Sequence, residues 1–220
     1  PRAMYGYSPI KKMYTFEPVP VDRLSAARNE ELIRGYPVSP DSVETIRPEC
    51  ADRIVGIQGC TWTEYIEDEL QQERMVFPRL LAVAEVAWTP QDRREWNDFK
   101  RRLNAQIPEL QRRGINTYTL SDEVEISTSP GADQGSVLVT LDCEKYPVEI
   151  RYTLDGSIPT PSALLYEGPF VVPDSAVVRA AVCRDGTIGS PVLTQRVSSD
   201  REIRNCYPFR MPDIWQEYFD

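Results

Sequence analysis

Residues 53–88, RIVGIQGCTWTEYIEDELQQERMVFPRLLAVAEVAW, constrain this chain more than any other stretch, because a short apolar run there leads directly into a helical pattern. Ile54, Val55, Gly56 and Ile57 form an apolar run with β-branched residues, the pattern of a strand buried on both faces, as in parallel sheets. Trp62 and Glu64 lie just past its end. In an α/β barrel, binding and catalytic groups sit at that end, since helices cover the outside and only the loops after the strands face a ligand. From Met75 the period becomes helical: Met75, Leu80, Val83, Ala84, Ala87 and Trp88 fall at three- and four-residue steps along one side, which is expected to be core. A tryptophan two residues before a carboxylate suits a sugar, because an indole face packs on the C–H face of a pyranose and the carboxylate accepts from its hydroxyls. By spacing alone, a core Trp beside an exposed Glu is the plainer reading.

Around this stretch the remaining elements are conventional. DRLSAARNEELIRG at 22–35 reads as a short helix with Asp22 or Ser25 as cap and Gly35 as stop. Residues 36–52, punctuated by Pro37, Pro40 and Pro48, read as an irregular connection. Trp96, Phe99, Leu103, Ile107 and Leu110 mark a second amphipathic helix within 92–113, with a bend expected near Pro108 and Gly114 as stop. Its many arginines read as a solvated face. From Val124 the pattern changes to short alternating runs at 137–141, 148–154, 170–172 and 177–182, separated by turn signals at Asp155-Gly156, Glu167-Gly168-Pro169, Asp174 and Asp185-Gly186. Strands at that spacing imply a small antiparallel sandwich. The aromatic-rich tail, 199–220, carries Tyr207, Phe209, Trp215, Tyr218 and Phe219 and is expected to dock on one of the domains or to act as an interaction strip.

Charge and residue types exclude several classes. A net charge of −9 and a pI near 4.8 argue against a nucleic-acid partner. No apolar run is long enough to span a membrane, and no signal-peptide pattern opens the chain, which reads as starting mid-pattern. The five cysteines, Cys50, Cys60, Cys143, Cys183 and Cys206, are scattered and odd in number, so neither a metal set nor a dense disulfide framework is expected. With no histidine, Ser-His, Cys-His and His-metal chemistry are ruled out within this chain, and no cofactor or metal is expected.

Gly56-Ile57-Gln58, Trp62-Thr63-Glu64-Tyr65 and the run Phe77 to Trp88 resemble the closing βα unit of family 20 glycoside hydrolases, the β-N-acetylhexosaminidases. Tyr14-Thr15-Phe16-Glu17-Pro18 resembles that family's segment after the seventh barrel strand, so the likeness covers roughly residues 1–120. Gly59-Cys60-Thr61 departs from the usual residues before the Trp. Residues 124–198 resemble the C-terminal domain of chitobiases and hexosaminidases, through Tyr152 to Thr160 and Leu165 to Phe170. The resemblance implies an α+β multidomain chain: the terminal βα portion of a (β/α)8 TIM barrel over 1–123, an Ig/fibronectin-like antiparallel β-sandwich over 124–198, and the tail.

The activity implied is removal of terminal β-linked N-acetylhexosamines with retention, the substrate's acetamido oxygen acting as nucleophile. Trp62 would floor the terminal sugar and Glu64 would accept from its 4- and 6-hydroxyls. The family's adjacent Asp-Glu catalytic pair lies on the fourth barrel strand and has no counterpart here; Asp68-Glu69 follows the Trp-Thr-Glu motif and cannot be carried over. No catalytic residue is therefore assigned, and the chain alone is expected to be inactive. Arg79 and Glu85 read as a structural ion pair or cap, and Gln58 as a strand residue satisfying neighbouring polar groups. Partners implied are an N-acetylhexosamine-terminated glycan and either the missing upstream barrel or a second copy; a secreted or periplasmic address follows from the family alone. Two alternatives stay open: a non-catalytic sandwich that binds carbohydrate or a partner, favoured by aromatics on one sheet face, and a different exo-glycosidase on a similar barrel.

Overall fold

The computed structural model describes residues 9–34, 38–63 and 66–197, which fall into two compact units, 9–118 and 119–197. The first is helical. A short α1, Ile10–Tyr14, leads to α2, Arg23–Arg34. Of the two candidate caps for α2, Asp22 does the work: its carboxylate accepts from the Ser25 backbone N–H at 2.8 Å and the Ser25 hydroxyl at 2.7 Å. Those hydrogen bonds hold its carboxyl below the usual range. The expected stop at Gly35 lies outside the described residues. The irregular connection contains two 3-10 turns, Pro40–Ser42 and Pro48–Arg53, each opened by proline.

The expected strand at 54–57 is not formed. Residues 54–63 form no regular secondary structure, and Ile54 is 40% and Val55 99% exposed. The physical reason is pairing: a parallel strand is held by neighbours on both edges, and the described residues of the first unit supply none. Gln58 follows suit, exposed and without a hydrogen bond among the described residues instead of serving as a strand residue.

The single helix expected from Met75 divides at Pro78, which has no N–H to give and restricts the residue before it. Helix α3 spans Glu69–Val76 and α4 spans Arg79–Trp88. The buried side of α4 is Arg79, Ala82 and Val86; of the side expected in the core, Leu80 is 44% and Trp88 87% exposed. The correction is one of rotation about the helix axis. The apolar stripe of α4 is wide enough to cover two surfaces, and among the described residues α1 packs against one of them. Helix α5, Trp96–Arg112, starts at a cap from Glu95, runs through Pro108 and ends before Gly114, whose φ of +83° suits glycine.

Tyr14 stacks on Phe99 at 4.9 Å and tilts against Trp96 at 5.0 Å, forming the centre of this unit's core with Ile10, Ala82, Val86 and Leu103. The Tyr14 hydroxyl is buried without a hydrogen-bond partner among the described residues. Burial, with Glu85 nearby, pushes its pKa up to about 12. Tyr14→Phe is therefore expected to stabilise the unit by about 1 kcal/mol at neutral pH, because an unmet buried polar group costs roughly 1–3 kcal/mol. In the wild type the unfolded phenol ionises near 10.0 while the folded one keeps its proton, so stability present below that pH falls as pH rises toward the folded value. Urea unfolding at pH 7 and pH 11 checks both points. A Phe variant less stable than wild type at pH 7, or with the same alkaline loss, would mean that the hydroxyl is satisfied.

The second unit consists of two antiparallel sheets sharing one core. β1 (Glu125–Pro130), β2 (Ser136–Asp142) and β5 (Phe170–Pro173) form one, in the order β1-β2-β5. The other is built from β3 (Glu149–Thr153), β4 (Leu164–Leu165), β6 (Val177–Arg184), β7 (Thr187–Ile188) and β8 (Leu193–Arg196), with β6 between β3 on one side and β7 and β8 on the other. Alternate residues point inward, and Val137, Val139, Val178, Ala180 and Val182 are essentially inaccessible to solvent. Asp185 and Gly186, with φ of 49° and 72°, make the two-residue β6–β7 hairpin that the Asp-Gly signal demands. Asp155-Gly156, expected as a hairpin turn, instead opens a longer loop between β3 and β4. There Asp155 accepts from Ser157 backbone and hydroxyl at 2.9 and 2.6 Å, and Gly156 takes φ of +81°. The tail, 199–220, lies outside the described residues.

Candidate functional site

The segment carrying the expected sugar contacts is held by its flanks. On one side α3 begins at Asp68, whose carboxylate accepts from the Gln71 N–H at 2.7 Å, which gives the Asp68-Glu69 pair a capping role. The α3–α4 bend is fixed by Arg79, donating to the Arg74 and Met75 carbonyls at 3.2 and 3.3 Å while its guanidinium lies 4.4 Å from the Tyr118 ring centroid. Glu85 of α4 takes a two-pronged contact from Arg102 of α5 at 2.6 and 3.0 Å. Arg79 is thus a helix cap and Glu85 an ion-pair residue, each with a different partner.

On the other side, a buried polar cluster fixes residues 16–19. Glu17 and Arg94 form an ion pair with side chains 11% and 7% exposed. Arg94 also donates to the Phe16 carbonyl at 3.0 Å, and Glu17 accepts from the Val19 N–H at 3.1 Å. The Asn29 side chain accepts from the Glu17 N–H at 2.9 Å and donates to the Glu17 carbonyl at 2.7 Å. Sequence reasoning did not single out this cluster, because its members are separated by up to 77 positions and no local spacing joins them.

Between these flanks, Val55, Ile57, Val86, Trp88, Gln91 and Arg94 help line an open cleft of about 290 Å³. Trp62 is not among its walls. It stands 57% exposed in the coil, beside an exposed Cys60. Glu64 lies outside the described residues. Trp62 is thus placed outside this cleft, and the carboxylate on the cleft, Glu17, is committed to Arg94.

Comparison with known proteins gives this arrangement a context. Residues 1–91 match the model of the glycosyl hydrolase family 20 catalytic domain, and residues 139–197 match the Fn3-associated domain. The chain is 26% identical to a beta-hexosaminidase of Porphyromonas gingivalis over 202 residues, covering 90% of this chain and 22% of that protein. It is 36% identical to a beta-N-acetylhexosaminidase of Cellulomonas fimi over 96 residues, covering 43% of this chain and 19% of that protein. The chain thus spans about a fifth of the length of these curated relatives. Part of a catalytic domain followed by an Fn3-associated domain is the plan these two matches give the sequence, and its first 91 residues are similar to the family 20 glycosyl hydrolases.

Proposed function

We propose that this chain works as part of an exo-β-N-acetylhexosaminidase that hydrolyses terminal β-linked N-acetylhexosamines with retention, through the substrate's own acetamido group. In this reading residues 1–123 are the closing βα portion of a (β/α)8 barrel, 124–198 an Ig/fibronectin-like sandwich and 199–220 an aromatic tail. Trp62 floors the sugar and Glu64 accepts from its hydroxyls once the neighbouring barrel strands are present, and the enzyme acts in a secreted or periplasmic setting. Among the described residues no helix is long and apolar enough to cross a membrane.

The observation that carries the proposal is a strip of apolar surface that the described residues leave uncovered. Val55 is 99%, Trp88 87% and Ile54 40% exposed on one side of the helical unit. A strand-type run beside an apolar helix face is the surface that a neighbouring barrel strand covers, so the first unit's partner is upstream barrel or, failing that, a second copy. The non-catalytic alternative draws less support. The sandwich's Tyr152 and Phe170 stack on each other at 4.4 Å and pack against the core, so among the described residues neither sheet presents these aromatics outward to a neutral sugar.

The test is hydrolysis of a chromogenic β-N-acetylglucosaminide by this chain and by the same chain extended to a full barrel. Activity in the extended protein alone is expected. Activity in the short chain would overturn the assignment of catalysis to residues outside it, and silence in both would overturn the hexosaminidase reading.

A further inference from the structure

We propose that the outer face of the larger sheet in the second unit binds a short anionic saccharide through its sulfate or carboxylate groups. Strand register places the residues. Arg151 of β3 stands opposite Ala181 of β6, Arg179 of β6 stands between Thr153 of β3 and Thr194 of β8, and Arg196 of β8 stands opposite Val177. All lie on the face opposite Ile150, Val178, Ala180 and Val182, which fill the core. Arg151, Arg179 and Arg196 therefore form a diagonal row over three adjacent strands, with neighbouring Cβ atoms roughly 7–8 Å apart.

In a chain of net charge −9 this is a local reversal of sign. The one carboxylate at an outward strand position of this sheet is Glu149, and it is taken by Arg151 at 2.8 Å. Arg151 also donates to the Ala163 carbonyl at 3.1 Å. Arg179 and Arg196 form no ion pair among the described residues, and the Nε atoms of both Arg151 and Arg179 are buried without an acceptor. The terminal N–H groups of Arg179 and Arg196 offer donors to a carboxylate or sulfate, while Arg151, held by Glu149 and Ala163, adds positive charge beside them. Thr153 and Thr194 flank Arg179 with hydroxyls that can meet ring oxygens; Thr153 already donates to the Ser157 carbonyl at 2.6 Å and retains its acceptor side.

The chemistry of the face selects among anions. It carries no aromatic platform, so affinity must come from charge, and the chain's overall negative charge repels long polyanions. What fits is a short oligosaccharide with two or three anionic groups at intervals that match the row. The inference uses only the second unit and stands apart from the assignment of the first.

The experiment is calorimetric titration of the 220-residue chain with a chondroitin sulfate hexasaccharide, in parallel with an oligoglutamate of equal charge. Saturable binding of the saccharide is expected, weakened at least tenfold by Arg179→Gln with Arg196→Gln and unchanged by Arg112→Gln with Arg113→Gln at the C-terminal end of α5. Retention of the thermal unfolding midpoint in the sandwich variant separates lost binding from lost fold, and Arg179→Lys provides a milder variant should that midpoint move. No binding, equal losses in both double variants, or oligoglutamate binding as tightly as the saccharide would overturn the proposal, the last in favour of an acidic peptide partner.

Discussion

Glu17→Ala is expected to cost the first unit about 3–5 kcal/mol of unfolding free energy, because it leaves the Arg94 guanidinium buried without its counter-charge. Arg94 is 7% exposed at its side chain, and its other contact is a single backbone carbonyl. Glu30→Ala, which removes an exposed i,i+4 partner of Arg34, is expected to cost only about 0.3–0.5 kcal/mol. Urea unfolding followed by tryptophan fluorescence, with half-buried Trp96 packed against Tyr14 and Phe99, compares the two. Replacing both members, Glu17→Leu with Arg94→Met, is expected to recover most of the loss, since an apolar pair of similar volume avoids the desolvation penalty altogether. Equal costs for Glu17→Ala and Glu30→Ala would show that the Glu17–Arg94 pair is solvated.

The second large effect concerns catalysis by the full barrel and rests on the proposed function. Glu64→Gln there is expected to lower kcat/KM by roughly 10- to 150-fold for each sugar hydroxyl that it holds, the equivalent of about 1.5–3 kcal/mol per charge-assisted hydrogen bond. Trp62→Ala removes the apolar floor and is expected to raise KM more than it lowers kcat, because a stacking surface binds ground state and transition state alike. A substrate lacking the 4-hydroxyl offers a check that a merely structural Glu64 would fail. Wild type and Glu64→Gln should differ less on that substrate than on the parent sugar. An undiminished difference would remove Glu64 from the site.

How much of this was legible in the sequence depends on whether the pattern was local. The strands at 137–141, 148–154, 170–172 and 177–182 correspond to β2, β3, β5 and β6, because inward valines alternating with outward polar residues report a two-sided sheet directly. The helix ending before Gly114 was equally plain, whereas Asp22 was one of two candidate caps for α2 and the hydrogen bonds decide for it. Residues 54–57 were misread, and instructively: an apolar β-branched run says that a segment would be buried as a strand given neighbours, and it cannot say whether the neighbours belong to the same chain. The face of α4 was misassigned for the same reason. Leu80, Ala84, Ala87 and Trp88 do form an apolar side, but α1 packs against the other one. At the candidate site, the Trp-Thr-Glu motif singles out Trp62 by local spacing, while the Glu17–Arg94–Asn29 cluster is invisible, since ion pairs between distant segments leave no periodic trace.

The Asn29 contact with Glu17 carries a kinetic implication. One side-chain amide both accepts from and donates to the same backbone residue, so it offers the loop what an adjacent strand offers a sheet residue. The Glu17 amide hydrogen sits outside any helix or strand, yet it should exchange with deuterated solvent only when α2 and the 16–19 segment separate, at a rate set by opening of the packed unit rather than by loop fluctuation. A short irregular stretch can in this way share the slow clock of the helix beside it.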